Sequence, residues 1–252
     1  MTIDCHVHLL GQAEGPLERG ENLLRHADRV GIDIMCVSLG RFGGYHDASS
    51  LEKVAGNNAE VQSAVERWPD RFIGFCYLNP CYLPQSLAEI DRRIADGPFR
   101  GIKLLLDMFC DQPNLDPIAE RAAELGAPIQ QHTWIKQTGN YPLESEPRHL
   151  VTLARRHPDT TFLAAHTGGN WELGIREIID TPNIIADICG GDPEMGYLEM
   201  ALPLLGAERI AWGSDAPGRS FASQLAKVHG ADVPDADKQQ ILSGTMRRVL
   251  DL

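Results

Sequence analysis

Short apolar runs alternate with longer stretches of helical periodicity along the whole chain of 252 residues. The first run covers residues 3–9. Apolar side chains then recur at helical spacing up to Val30, and Gly31 ends that helix. The full pattern predicts strands at residues 3–9, 32–39, 72–78, 101–106, 128–132, 161–166, 184–188 and 209–214, and helices at 17–30, 50–68, 83–95, 118–125, 146–157, 171–179 and 195–205, with one or two more within 221–250.

Eight strands in strict alternation with helices indicate an α/β fold. Several of the strands are continuous apolar runs, which is typical of a parallel sheet covered on both faces. Because connections between parallel strands are right-handed, eight such repeats favour a closed (β/α)₈ barrel, the TIM barrel, over a doubly wound open sheet. No linker or change of composition divides the chain, so we expect a single barrel domain over residues 1–252.

The first predicted strand carries two histidines at alternate positions. Side chains alternate between the faces of a strand, so His6 and His8 share one face, while Cys5 points the other way, against the helical layer. Two imidazoles about 7 Å apart at their Cα atoms can converge on one ion. The same spacing also arises by chance, so the weight of this pair depends on the rest of the chain.

Further polar residues stand at or near the carboxyl ends of the later predicted strands: Lys103, His132, His166, Asp187 and Asp215. In a barrel these strand ends meet at one mouth, where the active sites of barrels are built. Histidines scattered at random would rarely fall at so many strand ends in apolar surroundings. The pattern therefore predicts a shared metal-binding or catalytic site at the mouth.

Composition and charge restrict the partners of the protein. The chain has 23 basic and 35 acidic residues, a formal net charge of -12, so it would repel nucleic-acid backbones and anionic lipid. No apolar run is long enough for a transmembrane helix, and no signal peptide is evident. The six cysteines are scattered and are expected to be reduced thiols. These features predict a cytoplasmic protein with a small-molecule substrate, and they leave open whether it forms a homo-oligomer.

Five stretches resemble motifs of the amidohydrolase superfamily: DCHVH at 4–8, GIKL at 101–104, PIQQH at 128–132, HPDTTFLAAHTGG at 157–169 and GSDAP at 213–217. Together they are similar to its amidohydrolase-related branch (amidohydrolase 2). That branch contains metal-dependent TIM-barrel hydrolases, lactonases, hydratases and non-oxidative decarboxylases. The resemblance extends from residue 3 to residue 250.

By position, the resemblance implies four metal ligands: His6, His8, His132 and Asp215. It implies that His166 either binds a second metal, as in two-metal members, or acts as an acid/base or oxyanion stabiliser, as in one-metal members. Lys103 stands where two-metal members carry a carboxylated bridging lysine, with a substrate contact or an ion-pair partner as alternatives. We expect one ion rather than two, with Zn²⁺ ahead of Mn²⁺ or another divalent ion.

The expected chemistry assigns roles to two residues besides the metal. A divalent ion lowers the pKa of a water molecule and polarises a carbonyl group. Asp215 can accept the proton of that water and pass it to the leaving group. His166 would stabilise the negative charge that develops on the carbonyl oxygen.

Several residues near the strand ends are weaker candidates for substrate contacts. Arg41 and Arg219 could clamp a substrate carboxylate, with a surface ion pair as the alternative for each. His46 could reach the substrate from a glycine-rich loop or simply be exposed, and Trp134 could wall the pocket or pack. Asp187 could face the pore or orient a ligand histidine.

Three functions are compatible with this sequence. The first is hydrolysis of a C–O or C–N bond in an ester, lactone or amide of a small molecule. Arg41 and Arg219 would suit a molecule that carries a carboxylate. The second is non-oxidative decarboxylation, which would use the same metal ligands. The third is a degenerate barrel that acts only as a binding protein, and the complete set of ligand positions argues against it.

Overall fold

The computed structural model describes residues 1–11, 15–40, 49–191 and 194–252. Within them, eight parallel strands form one sheet in the order of the chain. The strands are β1 (Ile3–His8), β2 (Ile34–Ser38), β3 (Phe72–Tyr77), β4 (Phe99–Leu104), β5 (Ile129–Trp134), β6 (Phe162–Gly168), β7 (Ile184–Asp187) and β8 (Ile210–Ala211). All eight predicted strands are present, and β8 is shorter than predicted.

The sheet closes between β1 and the chain that follows β8. The backbone N–H of Asp215 donates to the carbonyl of His6 at 2.8 Å, and the N–H of His8 donates to the carbonyl of Ala216 at 2.8 Å. The pairing with β1 therefore continues beyond the last residue of β8. This closure confirms the (β/α)₈ barrel and excludes the doubly wound open sheet.

Helices form the outer layer of the barrel: α1 (Pro16–Val30), α2 (Leu51–Arg67), α3 (Leu83–Ile90), α4 (Asp116–Glu124), α5 (Pro147–Arg156), α6 (Trp171–Ile178), α7 (Tyr197–Leu205), α8 (Phe221–His229), α9 (Asp235–Gln239) and α10 (Thr245–Val249). Gly31 ends α1 in the left-handed conformation (φ 76°), as its position predicts. Ser50 caps α2 by accepting a hydrogen bond from the backbone of Lys53 at 3.3 Å. In the described part of the chain, none of these helices has both the length and the apolar character needed to cross a membrane.

Apolar side chains form a large cluster between sheet and helices and a smaller one inside the barrel. The smaller cluster, called the inner apolar layer below, contains Ile3, Cys5, Cys36, Ile73, Phe75, Leu163, Ile185, Ala211, Met246 and Leu250. Eight of its members come from strands on different sides of the barrel, so they can meet only in the interior, and Met246 and Leu250, in and directly after α10, pack against them. The barrel is therefore filled at its amino-terminal half, which leaves the opposite half for polar residues.

The strict alternation predicted for the first strand is wrong at Cys5. From Asp4 to Val7 the strand β1 advances three residues while its partner β2 advances two, so β1 contains a bulge. Cys5 consequently joins the inner apolar layer instead of the helical layer. His6 and His8 nevertheless share the inward face, as predicted.

The six cysteines are free thiols, as their scattered positions predict, and five of them are buried. Burial raises the pKa of all five buried thiols. They are therefore protonated at neutral pH and pack as small apolar groups. Cys189 is the one whose sulfur contacts histidines of the candidate site.

Candidate metal centre and active-site cavity

A cavity of about 520 Å³ opens at the carboxyl ends of the strands, a size that suits a small molecule. Eight of the residues predicted for the site line it: His6, His8, Lys103, His132, Trp134, His166, Asp215 and Arg219. Two further predicted residues, Arg41 and His46, lie outside the described residues. The barrel thus gathers candidates from five different strands and the turns that follow them.

His6, His8 and Asp215 direct donor atoms at one another, and we call them the His/Asp group. Nε2 of His6 lies 3.1 Å from Nε2 of His8, while Oδ1 of Asp215 lies 3.2 Å from His8 Nε2 and 3.9 Å from His6 Nε2. Two ligands of a tetrahedral ion with bonds of about 2.0–2.1 Å are separated by about 3.4 Å. The three donors therefore fit one coordination shell, and their chemistry suits Zn²⁺ or Mn²⁺.

Asp187 orients the His6 ring by contacting Nδ1, the ring nitrogen that faces away from the His/Asp group. Its Oδ2 lies 2.7 Å from His6 Nδ1 and also accepts a hydrogen bond from Gln130 Nε2 at 3.1 Å. Burial alone would raise the pKa of Asp187, but the adjacent His6 outweighs burial and holds that pKa at about 2. The ionised carboxylate accepts the Nδ1–H of His6, which leaves the Nε2 lone pair directed at the His/Asp group.

Lys103 is completely buried beside the same group. Its Nζ lies 2.8 Å from His6 Nε2 and donates to Gln130 Oε1 at 3.0 Å. Burial lowers the pKa of Lys103, although the nearby carboxylates oppose that shift. Lys103 forms no ion pair with a carboxylate of the described residues, so the structure does not support the ion-pair alternative. Its roles as a carboxylated bridge or as a substrate contact stay predictions.

His166 enters the cavity from a turn of left-handed backbone. His166 (φ 64°) and Thr167 (φ 46°) both adopt this conformation, which is rare for residues other than glycine. Nδ1 of His166 lies 3.3 Å from the sulfur of Cys189 and 3.4 Å from its carbonyl oxygen. Gly190 makes room for the ring, because a Cβ atom there would lie 2.4 Å from His166 Nδ1. Sequence-distant residues thus hold this imidazole in place.

The structure does not bring His132 into the His/Asp group. Nε2 of His132 lies 3.0 Å from Oε1 of Glu144, and the same carboxylate accepts from Lys136 Nζ at 2.6 Å. The His132 ring is stacked against Trp134, with 6.0 Å between centroids and 18° between planes. His132 and Trp134 therefore wall the cavity, and the role of His132 as a metal ligand stays a prediction.

Burial keeps three of the cavity histidines, His8, His132 and His166, neutral. It lowers the pKa of His8 to about 4, against the opposing hydrogen bond to Asp215, and it also lowers the pKa values of His132 and His166. Burial would raise the pKa of Asp215, but the hydrogen bond to His8 and the adjacent imidazoles hold it well below its usual range. Neutral imidazoles beside an ionised carboxylate are the protonation state in which a divalent ion binds.

Four residues of this site are not singled out by the sequence patterns: Gln130, Lys136, Glu144 and Cys189. Gln130 precedes His132 by two positions on β5, so the alternation of a strand could have identified it. Lys136 and Glu144 lie between β5 and α5, where no periodicity marks residues that turn inward. Contacts across the cavity are therefore what reveals them.

Comparison with known proteins agrees with the fold and identifies the family. A family model described as "Amidohydrolase" matches residues 3–252. A curated relative, L-fucono-1,5-lactonase from Burkholderia ambifaria, is 24% identical over 176 residues. That match covers 61% of this chain and 57% of the relative, so this chain spans little more than half the length of the curated relative.

Solved structures share the fold at low sequence identity. 2,6-Dihydroxybenzoate decarboxylase from Rhizobium has a TM-score of 0.80 at 16% identity, with 99% of this chain and 98% of that chain covered. 5-Carboxyvanillate decarboxylase from Novosphingobium aromaticivorans, complexed with manganese and 4-hydroxy-3-methoxy-5-nitrobenzoic acid, has a TM-score of 0.79 at 16% identity, with 100% and 96% covered. The match of the family model over nearly the whole length shows that this chain belongs to the amidohydrolase family.

Proposed function

We propose that this protein is a metal-dependent enzyme that hydrolyses an ester, lactone or amide bond in a small carboxylated molecule. The observation that carries the proposal is the convergence of the three donor atoms of the His/Asp group at the cavity. A divalent ion held there would polarise a carbonyl group and acidify water. Zn²⁺ is the favoured ion and Mn²⁺ the alternative, and the manganese complex of the N. aromaticivorans decarboxylase supports a divalent ion of this kind.

One ion is favoured over two by the position of His132. Its Nε2 is engaged by Glu144, and among the described residues His132 belongs to no group of three potential ligands. A second ion that used His132 as a ligand would need this residue to leave Glu144. Glu144 is itself buried and bound to Lys136, so that rearrangement would break a paired network.

Asp215 is the proposed proton acceptor. It is the most exposed member of the His/Asp group, at 20% of its side chain against 1% for His6, so its carboxylate faces the substrate. Because Asp215 is ionised at neutral pH, it can take a proton from the attacking water and return it to the leaving group. The turn that carries it has a left-handed residue at Asp215 itself (φ 61°), which aims the side chain inward.

His166 is the proposed stabiliser of the developing oxyanion. Burial raises the pKa of the Cys189 thiol, so its S–H is retained and can donate to Nδ1 of His166 at 3.3 Å. The other ring nitrogen, Nε2, then carries the proton and can donate to the substrate oxygen. Arg219 lines the same cavity without a carboxylate partner among the described residues, so it can bind a substrate carboxylate.

Non-oxidative decarboxylation is the second candidate. The similarity to L-fucono-1,5-lactonase supports hydrolysis, whereas solved barrels of the same fold include 2,6-dihydroxybenzoate decarboxylase. In decarboxylation the same residues would deliver a proton to carbon instead of activating water. A binding protein without catalysis is disfavoured because the His/Asp group is complete.

The test combines elemental analysis with two substrate panels. Protein purified without chelator should contain about one equivalent of a divalent transition ion. It should hydrolyse members of a panel of sugar-acid lactones and carboxylated esters, and it should release no CO₂ from dihydroxybenzoates. CO₂ release without hydrolysis would select the second candidate, and two equivalents of metal would revive Lys103 as a carboxylated bridge.

A matched pair of histidine variants ties the activity to the site. His8→Ala should lose both metal and turnover, because it removes one of three converging donors. His229→Ala removes an exposed histidine at the end of α8 and should lose neither. Equal metal content and turnover in both variants would refute the assignment of the metal to the His/Asp group.

A further inference from the structure

A second cavity of about 600 Å³ lies beside the active-site cavity, between α1 and the start of α8. We call it the arginine groove. The residues that line it include Leu10, Leu23, Arg25, Arg29, Arg219 and Phe221. Its size is again that of a site for a small molecule.

The titratable residues of the arginine groove all carry basic side chains: Arg19, Arg25, His26, Arg29 and Arg219. No aspartate or glutamate of the described residues lines it, although acidic residues outnumber basic ones in the whole chain, whose net charge is -12. A concentration of one charge against the overall balance attracts ligands of the opposite charge.

Several of these guanidinium groups are not neutralised by the protein. Arg19 pairs with Glu60. Within the described residues, Arg25 bonds to the amide oxygen of Asn22, Arg219 bonds to the carbonyl of Gly218, and neither forms an ion pair. Arg29 also lacks a carboxylate partner there. Guanidinium groups without such partners bind phosphate and carboxylate through paired hydrogen bonds.

One turn links the arginine groove to the catalytic group. The backbone N–H of Arg219 donates to the carbonyl of Asp215 at 3.1 Å, so both residues belong to the same tight turn after β8. Asp215 faces the histidines, whereas Arg219 lines both cavities, as do Leu10 and Pro217. These three shared residues stand between the two cavities, so the Arg219 side chain is within reach of a ligand in either of them.

We propose that the arginine groove binds an anionic group at the far end of the substrate, whose reacting bond lies at the His/Asp group. This inference rests on the function proposed above for the neighbouring cavity. It narrows the substrate class to extended molecules with two anionic ends, dicarboxylates or phosphorylated acids. Arg219 binds the anion nearer the reacting bond, Arg25 and Arg29 bind the distal anion, and Leu23 and Phe221 cover the carbon chain between the two anions.

Isothermal titration calorimetry tests the groove independently of catalysis. The metal-loaded protein is titrated with inorganic phosphate and, separately, with glutarate, two anions that bind divalent ions too weakly to extract the metal, at about 0.15 M salt so that weak surface attraction is screened. The double variant Arg25→Gln/Arg29→Gln should bind the preferred anion at least tenfold more weakly than the wild type. The control Arg155→Gln/Arg176→Gln removes the same charge from exposed arginines of α5 and α6 and should change the affinity less than twofold.

Each outcome of the titration has a meaning. Preference for inorganic phosphate selects phosphorylated substrates, and preference for glutarate selects carboxylates. If both double variants lose affinity for the anion equally, or if the wild type binds neither anion, the proposal that the arginine groove is an anion site is refuted. If the groove binds anions but the protein holds no metal and hydrolyses nothing, the proposed function fails and the anion site stands.

A length series tests whether one molecule spans both cavities. Linear dicarboxylates from succinate to suberate are titrated into the wild type and into Arg25→Gln/Arg29→Gln. A spanning ligand should show an affinity maximum at one chain length, at least fivefold above the shortest diacid, and the double variant should lose that maximum. A flat series in the wild type overturns the connection between the groove and the substrate.

Discussion

The two halves of the barrel interior bury their side chains in opposite ways. The inner apolar layer consists of hydrocarbon side chains, thiols and the thioether of Met246, none of which needs a hydrogen-bond partner. The mouth half buries imidazoles, carboxylates and an amine, each with a polar partner in reach. Apolar packing therefore stabilises the inner apolar layer. In the mouth half, hydrogen bonds and ion pairs between the polar side chains offset the cost of removing them from water.

This difference decides how each half should respond to substitution. Removing a side chain from the inner apolar layer leaves a cavity, and the cost depends on the volume lost. Removing a charged group from the mouth half leaves its partner unpaired and changes that partner's protonation or orientation. Substitutions in the first half should thus affect stability, and those in the second should affect metal binding and turnover.

The largest expected effect is on stability in the inner apolar layer. Phe75 is 1% exposed, so Phe75→Ala should lower the free energy of unfolding by about 3–5 kcal/mol, measured by urea denaturation. The metal content of the folded variant should equal that of the wild type. Leu173→Ala, at a residue that is 48% exposed, is the control and should change little. If Phe75→Ala lost metal without losing stability, the conclusion that the inner apolar layer governs stability and the mouth half governs metal binding would be wrong.

The next effect is on turnover in the mouth half. Asn has nearly the shape of Asp and can still offer an oxygen to a metal, but it cannot accept a proton at neutral pH. Asp215→Asn should therefore fold, keep part of its metal and lose on the order of 10² or more in kcat. Near-normal kcat with metal bound would make Asp215 a ligand only, and His166 would become the candidate acceptor.

A smaller effect is expected on metal affinity when the carboxylate of Asp187, which contacts His6 of the His/Asp group, is replaced. Asp187→Asn removes the charge that orients His6, and it should weaken metal affinity about 10–100-fold in competition with a chromophoric chelator. Asp107→Asn is a matched control, because Asp107 is also buried but binds Tyr77 and Ser49 away from the His/Asp group. Equal weakening in both variants would point to a general loss of stability.

The smallest effect is on acid stability. The pKa of Asp187 is about 2 in the folded chain against 3.8 for the free side chain, so its ionised form stabilises the fold above about pH 4. That contribution is lost as the pH falls through 2. In chelator-treated protein, the free energy of unfolding should fall between pH 4 and pH 2 by about 2 kcal/mol more in the wild type than in Asp187→Asn. Parallel pH profiles would show that Asp187 is not coupled to folding.

Residues of β1 show why sequence patterns succeed in part. The alternation of a strand correctly places His6 and His8 on one inward face, because side-chain direction is a local property of extended backbone. The same rule fails at Cys5, because the bulge arises from the pairing of β1 with β2. The sequence of one strand does not specify how that strand pairs with its neighbour, so it cannot predict a bulge.

By itself, the sequence determined the eight strands, their alternation with helices and the polar residues at the strand ends, because these follow from periodicity and turn residues over short distances. The tertiary structure decided which of those polar residues meet. It paired His132 with Glu144, placed Lys103 against His6 and Gln130, and brought the turn of Arg219 beside α1. Such contacts depend on side-chain directions set by packing and by loops without periodicity, and only the closed barrel brings the partners within reach.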